Sequence, residues 1–551
     1  MLKKCLALCL ALTLLGAGAL AGGQIVLSAR EDHPRFYSTG ESGDPEAARG
    51  LRFSLGMILG STNGELGWDV SGRPAENVDA ETALRYEAGG RAYPSEPSPY
   101  SSGLELSYPL LSSFGTATNT SFSRDDLEDT SFLGIIWPLV EEAAKDAAPG
   151  DTVVRYFPLA DYYDALPMTL GLDLGDLWVH ESYDFDRDEN RVADLYGTLS
   201  ELFSLALPAG AWARVKVELN GVGAPCSVDY DLVTGDLSYW EKEDGSAFPG
   251  ELRARLESGT RLPGAATNVM ACSIADNHTL WLAAEVDSDD GTRLPFVSGA
   301  APGLYRIDYT LGEGDESFST GSYRVKTLKA GEPVLCWESE PGWESRTLTY
   351  IEDGQRLVLT QSRAGEETGG RVLLFDNRGT LLQVIPLFDE TPDNIEPILS
   401  GGAMVFFSQS WGGEAVDGVT EWAPADGGRY VTVLDRGENG LYAPALALTL
   451  SAQESPSLYN LHDYSYPIRL HDPNIAWNGE TRTLAVAQGQ RYSIEEVTDQ
   501  AEDPVMEIYV LNETGLAFSR RYGCDLAQPF AAEDFPAIYL DDMRGIELSW
   551  Q

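Results

Sequence analysis

Residues 371–387 read RVLLFDNRGTLLQVIPL. An apolar run, Val372 to Phe375, ends in the polar group Asp376-Asn377-Arg378-Gly379, and a second apolar run leaves at Leu381. Asp, Asn and Gly accept at low cost the left-handed backbone that a tight turn between antiparallel strands demands. The stretch therefore predicts a β-hairpin. The theme recurs from about residue 205 onward, in CSVDYDLVTGDLSYW (226–240), GLYRIDYT (303–310) returning at SYRVKTL (322–328), VTEWAPADGGRYVTVL (419–434) and MEIYVLNETGLAFSRRY (506–522). Between these hairpins lie further strand patterns: HTLWLAAEV (278–286), RTLTYIEDGQRLVLTQS (346–362), AMVFFSQS (403–410) and TRTLAVAQ (481–488).

Many short antiparallel strands must hide their edges. A ring of four-stranded blades does so while leaving only short protected ones. The expected fold is all-β: a β-propeller of roughly 6–8 blades with a few short helices, each blade taking ~40–50 residues plus loop insertions. Tandem β-sandwiches are the other architecture that fits, and they call for more independent linkers. Composition agrees with a packed β protein. The hydrophobic fraction is 43% and aromatics are 10%, enough for a core, while 56 glycines and 30 prolines favour turns over long helices.

Upstream, LRFSLGMILG (51–60), STNGE (61–65) and LGWDVSG (66–72) read as another hairpin. Residues 89–103 are rich in Gly, Pro and Ser and read as a loop, followed by a strand in GLELSYPLL (103–111). One helix is expected to begin at Pro138. Val140, Ala143, Ala144 and Ala147 recur at helical spacing, and Pro149-Gly150 stops the run. Short helices are also expected near Leu195–Leu205 and Leu252–Leu256.

Lys3 and Lys4 precede an uncharged, mostly apolar segment running from Cys5 to Ala29. This is the pattern of an export signal. Ala19-Leu20-Ala21 supplies a small-x-small cleavage site, and the same segment is long enough, at ~20 residues per crossing, to stay as an anchor with the lysines inside. Both fates remain open. The expected organisation is residues 1–29 as signal peptide or N-terminal membrane anchor, 30–48 as linker, 49–204 as a mixed region with one helix, and 205–551 as propeller-like repeats. The protein is placed outside the cytoplasm, with membrane contact only through the N-terminal segment.

The formal charge of −48, from 86 acidic and 38 basic residues, repels nucleic acid and favours cations or basic partners. Cys226, Cys272, Cys336 and Cys524 follow the leader at spacings that match no metal motif. They read as small apolar residues of strands, in a compartment that would also permit disulfides.

YRIDY (305–309), VLLFDNRGTLL (372–382) and IYVLNETGL (508–516) resemble the hairpins of bacterial propeller proteins of the quinoprotein-like and WD-repeat-like kind. That resemblance implies a fold and no particular activity. Asp231 to Gly235 followed by Trp240 resembles the blade-docking repeat of quinone-dependent dehydrogenases. It occurs once, with the tryptophan one position late, so it implies no quinone.

Calcium is the one cofactor suggested. Asp184, Asp186, Asp188 and Asn190 alternate in DFDRDEN, as oxygen ligands of an irregular calcium loop would, although the Gly and Glu of the twelve-residue motif are missing. Asp287 to Gly291 is a weaker acidic turn. His462 and His471 each precede an aspartate in the loop-rich stretch LHDYSYPIRLHDPN (461–474), and Trp343 and Trp411 follow or precede glycines in expected loops. These four are the candidate ligand-binding residues, because exposed loop aromatics stack on sugars or anchor a partner. The sequence holds no H-E-x-x-H, nucleophile elbow, S-x-x-K or phosphate loop. The functional expectation is a non-catalytic module binding a protein or glycan at the cell surface. Its alternative is a carbohydrate-active enzyme that uses paired carboxylates.

Overall fold

The computed structural model describes residues 35–59, 64–76, 78–88, 103–108, 115–118, 132–145, 147–166, 168–173, 178–179, 185–207, 212–219, 225–233, 265–274, 278–288, 293–318, 321–351, 355–363, 369–388, 397–416, 419–450, 474–489, 506–525 and 546–551. The chain divides into two compact units. Unit 1 combines Met1–Pro94 with Pro392–Gln551, and unit 2 is Ser95–Thr391.

The chain opens in unit 1 with strands β1 (Arg35–Gly43), β2 (Leu51–Leu59), β3 (Gly64–Gly72) and β4 (Glu81–Ala88). Unit 2 follows with β5 (Gly103–Ser107), β6 (Gly115–Thr118), helix α1 (Phe132–Ala144), β7 (Thr152–Pro158), β8 (Ala165–Leu166), β9 (Thr169–Asp173), β10 (Trp178–Val179) and helix α2 (Phe185–Phe203). It continues through β11 (Leu205–Ala206), β12 (Trp212–Leu219), β13 (Pro225–Val233), β14 (Ala265–Ile274), β15 (Thr279–Ser288), β16 (Gly303–Phe318), β17 (Gly321–Ala330) and β18 (Val334–Glu338). Its last four strands are β19 (Glu344–Ile351), β20 (Arg356–Arg363), β21 (Gly369–Asp376) and β22 (Leu381–Phe388). The chain then returns to unit 1 with β23 (Pro397–Ser400), β24 (Ala403–Val416), β25 (Val419–Arg436), β26 (Tyr442–Leu450), β27 (Ile475–Asn478), β28 (Thr483–Gly489), β29 (Met506–Asn512), β30 (Gly515–Asp525) and β31 (Glu547–Trp550).

Among the described residues unit 1 holds three antiparallel sheets, ordered β1-β30-β29-β28-β27, β31-β2-β3-β4 and β23-β24-β25-β26. Two of them join the chain ends: β1 pairs with β30, and β31 pairs with β2. The sheet of β27–β30 is covered on both faces. Ala485, Ala487, Ile508 and Val510 pack with Phe53 and Leu55 of β2. Leu484, Val486, Tyr509 and Leu511 pack on the other side with Val405, Val431 and Val433. Consecutive strand residues point to opposite faces, so a strand covered twice reads as an unbroken apolar run. That is why LAVA and IYVL show no alternation.

Unit 2 holds the four-stranded sheets β6-β13-β12-β7 and β19-β20-β21-β22, the five-stranded sheet of β14–β18, the three-stranded β10-β9-β5 and the short pair β11-β8. Here too one sheet is covered twice. Leu280, Leu282 and Ala284 of β15 join a core with both helices and β12, whereas Trp281 and Ala283 join Leu359, Leu373 and Phe375 of the β19–β22 sheet. Each such aliphatic or aromatic side chain contributes ~1.5–3 kcal/mol by leaving water.

The hairpin expected at 371–387 forms as β21–β22. Asp376 Oδ1 accepts hydrogen bonds from the backbone N–H groups of Arg378 (2.9 Å) and Thr380 (2.8 Å). Burial alone would raise the Asp376 carboxyl, but these two N–H groups, with the Thr380 side chain and the Arg378 charge, outweigh it and hold the carboxyl below its usual range. Gly379 turns the chain at φ +83°. The expected hairpins β2–β3, β16–β17 and β29–β30 form as well, and the strand pattern at 346–362 folds as the paired strands β19 and β20.

Several expectations give way. Residues 30–48 are not all linker. Residues 35–43 form β1, in register with β30 from Arg35↔Asp525 to Gly43↔Phe518, and Pro45–Ala48 form a 3-10 turn capped by Asp44. The strand is RFYSTGESG, whose outer polar residues hide the pattern. The boundary expected at 204/205 does not separate compact units, because β12 pairs with β7 across it. Among the described residues the mixed region carries two α-helices: the helix expected around Pro138, and α2, a longer form of the short helix expected near Leu195–Leu205, which begins at Phe185. Helix α1 begins at Phe132, six residues before Pro138, and buries Ile136, Leu139, Val140 and Ala143 as one stripe. Finally, VTEWAPADGGRYVTVL is not a hairpin but one strand, β25. Its ADGG segment is a bulge, since the register against β24 jumps from Gln409↔Arg429 to Trp411↔Pro424.

Candidate functional site

The β19–β22 sheet presents three cross-strand rows to its neighbour. Tyr350, Leu357 and Phe375 form one row, and Leu348, Leu359 and Leu373 the next. The third row is Ser345, Gln361 and Arg371. It is polar and nonetheless buried. Facing it from β15 stands Glu285, two residues beyond the buried Ala283. A polar layer thus closes one end of an apolar interface, and buried polar groups must find partners there.

They do. Glu285 accepts from Ser339 Oγ at 2.7 Å and from the Ser345 backbone N–H, and Arg293 lies 3.2 Å from its carboxylate. Burial pushes the Glu285 carboxyl up, with Arg293 and the Ser339 and Ser345 donors pulling the other way. Arg371 donates from Nε to Gln361 at 2.9 Å and from Nη1 to Glu340 at 2.8 Å. Arg346 bridges Ser362 and Glu344, both at 2.6 Å.

Trp343 sits at the rim of this layer, half-buried. Its position comes from a tight turn. Pro341 and Gly342 occupy the central positions, Gly342 takes φ +80°, and the Trp343 N–H reaches back to the Glu340 carbonyl at 3.4 Å. Proline then a left-handed glycine is the signature of a type II turn. The Arg293 guanidinium holds the Trp343 carbonyl at 2.9 Å. Above the indole, the Arg371 guanidinium carbon lies 4.0 Å from the ring centroid and that of Arg363 5.8 Å. The 4.0 Å contact is a cation–π stack, worth ~2 kcal/mol when desolvated. It also accounts for Arg371 Nη2, which is buried without a hydrogen-bond partner among the described residues. The result is an aromatic platform whose turn, carbonyl and ring are each fixed.

Of the residues singled out from sequence, Trp343 is the one the structure surrounds with a built site. Trp411 is not in a loop. It lies within β24, opposite Pro424. His462 and His471 lie outside the described residues, as do Asp184, Gly235 and Trp240. Asp186, Asp188 and Asn190 belong to the first turns of α2, not to a loop. Asp287 lies in β15, with Asp289–Gly291 outside the described residues. Cys336 is half-buried and free, its thiol pushed up mainly by burial. Glu285, Arg293, Arg363 and Arg371 were not singled out from sequence. The available signal was an arginine opening the apolar run VLLF.

The described chain is thus mostly β-strand, with two α-helices and an aromatic–guanidinium site in unit 2. No protein-family model matches it, and no curated protein matches it. Among solved structures it is similar to Trypanosoma rangeli sialidase, at 11% identity over 57% of this chain and 48% of that one, with a TM-score of 0.21. The chain spans about half the length of that protein. A likeness at that TM-score carries no argument about this chain.

Proposed function

We propose that this chain is an exported, propeller-like binding module whose Trp343 turn contacts a glycan or protein at the cell surface. The observation that carries the reading is the fixed, half-buried indole of Trp343, stacked at 4.0 Å on Arg371. Rigid aromatic rings at a surface give contact area at little entropic cost. The propeller reading draws support from sheets covered on both faces and from chain ends that interleave in shared sheets. The export reading rests on the uncharged segment behind Lys3 and Lys4. The acidic balance keeps nucleic acid away, and membrane contact runs through the N-terminal segment alone. Calcium enters as one ligand of the screen, not as a site assigned to particular residues.

The test is a thermal-shift screen of residues 30–551 against Ca²⁺, a chelator, and soluble wall and glycan fragments. A ligand that binds only the folded state must raise its stability. A shift with one glycan class that Trp343→Ala removes supports the reading. Turnover of a glycan that a single carboxylate substitution abolishes would replace it with the carbohydrate-active alternative.

A further inference from the structure

We infer that β1 is a detachable strap on a sheet otherwise complete without it, latched by Glu41 against the buried guanidinium of Arg520. Strands β27, β28, β29 and β30 are consecutive in the chain and pair in that order, so four strands assemble from residues 475–525 alone. β1 adds a fifth strand from the far end of the sequence, 479 positions from its ion-pair partner. Beyond its backbone ladder with β30 and the Ala80 N–H that donates to the Phe36 carbonyl, its side-chain hold is concentrated at few points. Glu41 stands opposite Arg520 in the register and forms an ion pair with it. Ser38 Oγ adds a 3.4 Å contact to the same guanidinium. Phe36 stacks on Tyr522, with ring centroids 5.6 Å apart and planes 20° apart. Between these points the ladder is broken by a register shift between Ser38 and Gly40.

Two features make the contact a latch rather than one more strand pair. Arg520 is 0% exposed although it lies on the strand that β1 covers, and burying a charge is tolerable only beside a counter-charge. The Glu41 side chain, by contrast, is 34% exposed, so water competes for it from outside. Phe36 is the buried anchor of the strap and Tyr37 is half-buried, while Thr39, Glu41, Ser42 and Gly43 are exposed. Elements with few buried apolar contacts open at low free energy, independently of the core. Once open, the strap uncovers the edge of β30 with its N–H and C=O groups and the Arg520 cation, an edge that accepts a strand bearing a carboxylate opposite Arg520. Only residues 30–34 separate the strap from the leader read at 1–29, so the fate of the leader and the docking of β1 concern the same end of the chain.

Hydrogen exchange followed by mass spectrometry on the full chain tests this. In the unaltered protein, peptides covering 35–43 should exchange at least ~10-fold faster than those covering β28 and β29. Glu41→Gln should accelerate exchange in 35–43 and 515–525 by a further ~10-fold and leave β28 and unit 2 unchanged. Equal protection of β1 and β29 in the unaltered protein overturns the inference. So does an acceleration by Glu41→Gln that spreads evenly through unit 1, or none at all. If the variant does not fold, the comparison within the unaltered protein decides.

Discussion

Replacing Gly379 by alanine tests whether the hairpin that announced the fold is also pressed into its neighbour. Gly379 has φ +83°, where an L-residue loses ~1–2 kcal/mol. Space is lacking too. A Cβ there would stand 2.6 Å from Cys336 Cβ, 2.7 Å from Cys336 Sγ and 2.8 Å from Cζ3 of the fully buried Trp281. All three are well inside contact distance, and such overpacking costs ~1–3 kcal/mol. Gly379→Ala should therefore cost ~2–5 kcal/mol in total. Gly402 is the control. Its φ is +85°, and a Cβ would meet nothing within 4 Å. Gly402→Ala should cost the conformational ~1–2 kcal/mol alone. The assay is equilibrium urea unfolding followed by tryptophan fluorescence, with a separate transition fitted for each compact unit where two appear. Equal losses for the two variants would refute the reasoning, because the tip of β21–β22 would then not bear on β15 and β18.

Three further outcomes are expected. Glu285→Ala leaves Arg293 without its buried counter-charge and the Ser339 and Ser345 donors without an acceptor; urea unfolding should show a loss of ~3–5 kcal/mol. Arg371→Leu should remove the stack on Trp343 and release Gln361 and Glu340, seen as a change in tryptophan emission and in near-ultraviolet dichroism, whereas the exposed Arg378→Leu should leave both spectra unchanged. Because the Asp376 carboxyl is held below its unfolded value, its contribution is present above that value and is lost as pH falls through the folded one. Asp376→Asn should accordingly flatten the acid side of the stability–pH curve, and an unchanged acid limb would count against the turn geometry.

The local pieces are legible in short stretches of sequence. Apolar runs broken by Asp, Asn and Gly place β21–β22, β29–β30 and β2–β3 because turn chemistry and strand burial act within a few residues. Local pattern fails where a distant partner decides. RFYSTGESG carries no strand pattern of its own and becomes β1 because β30 offers it an edge and Arg520 a charge. APADGG has every mark of a turn, yet β24 runs alongside and holds it as a bulge. Pro138 looks like a helix start, but the stripe of Ile136, Leu139 and Val140 packs on unit 2 and carries the helix back to Phe132. The site divides the same way. Trp343 was legible because Pro-Gly before a tryptophan is a local sign. Glu285, Arg293 and Arg371 were not, since what makes them a site is three strands and a turn bringing their charges into one buried layer, a fact of packing that no local pattern contains.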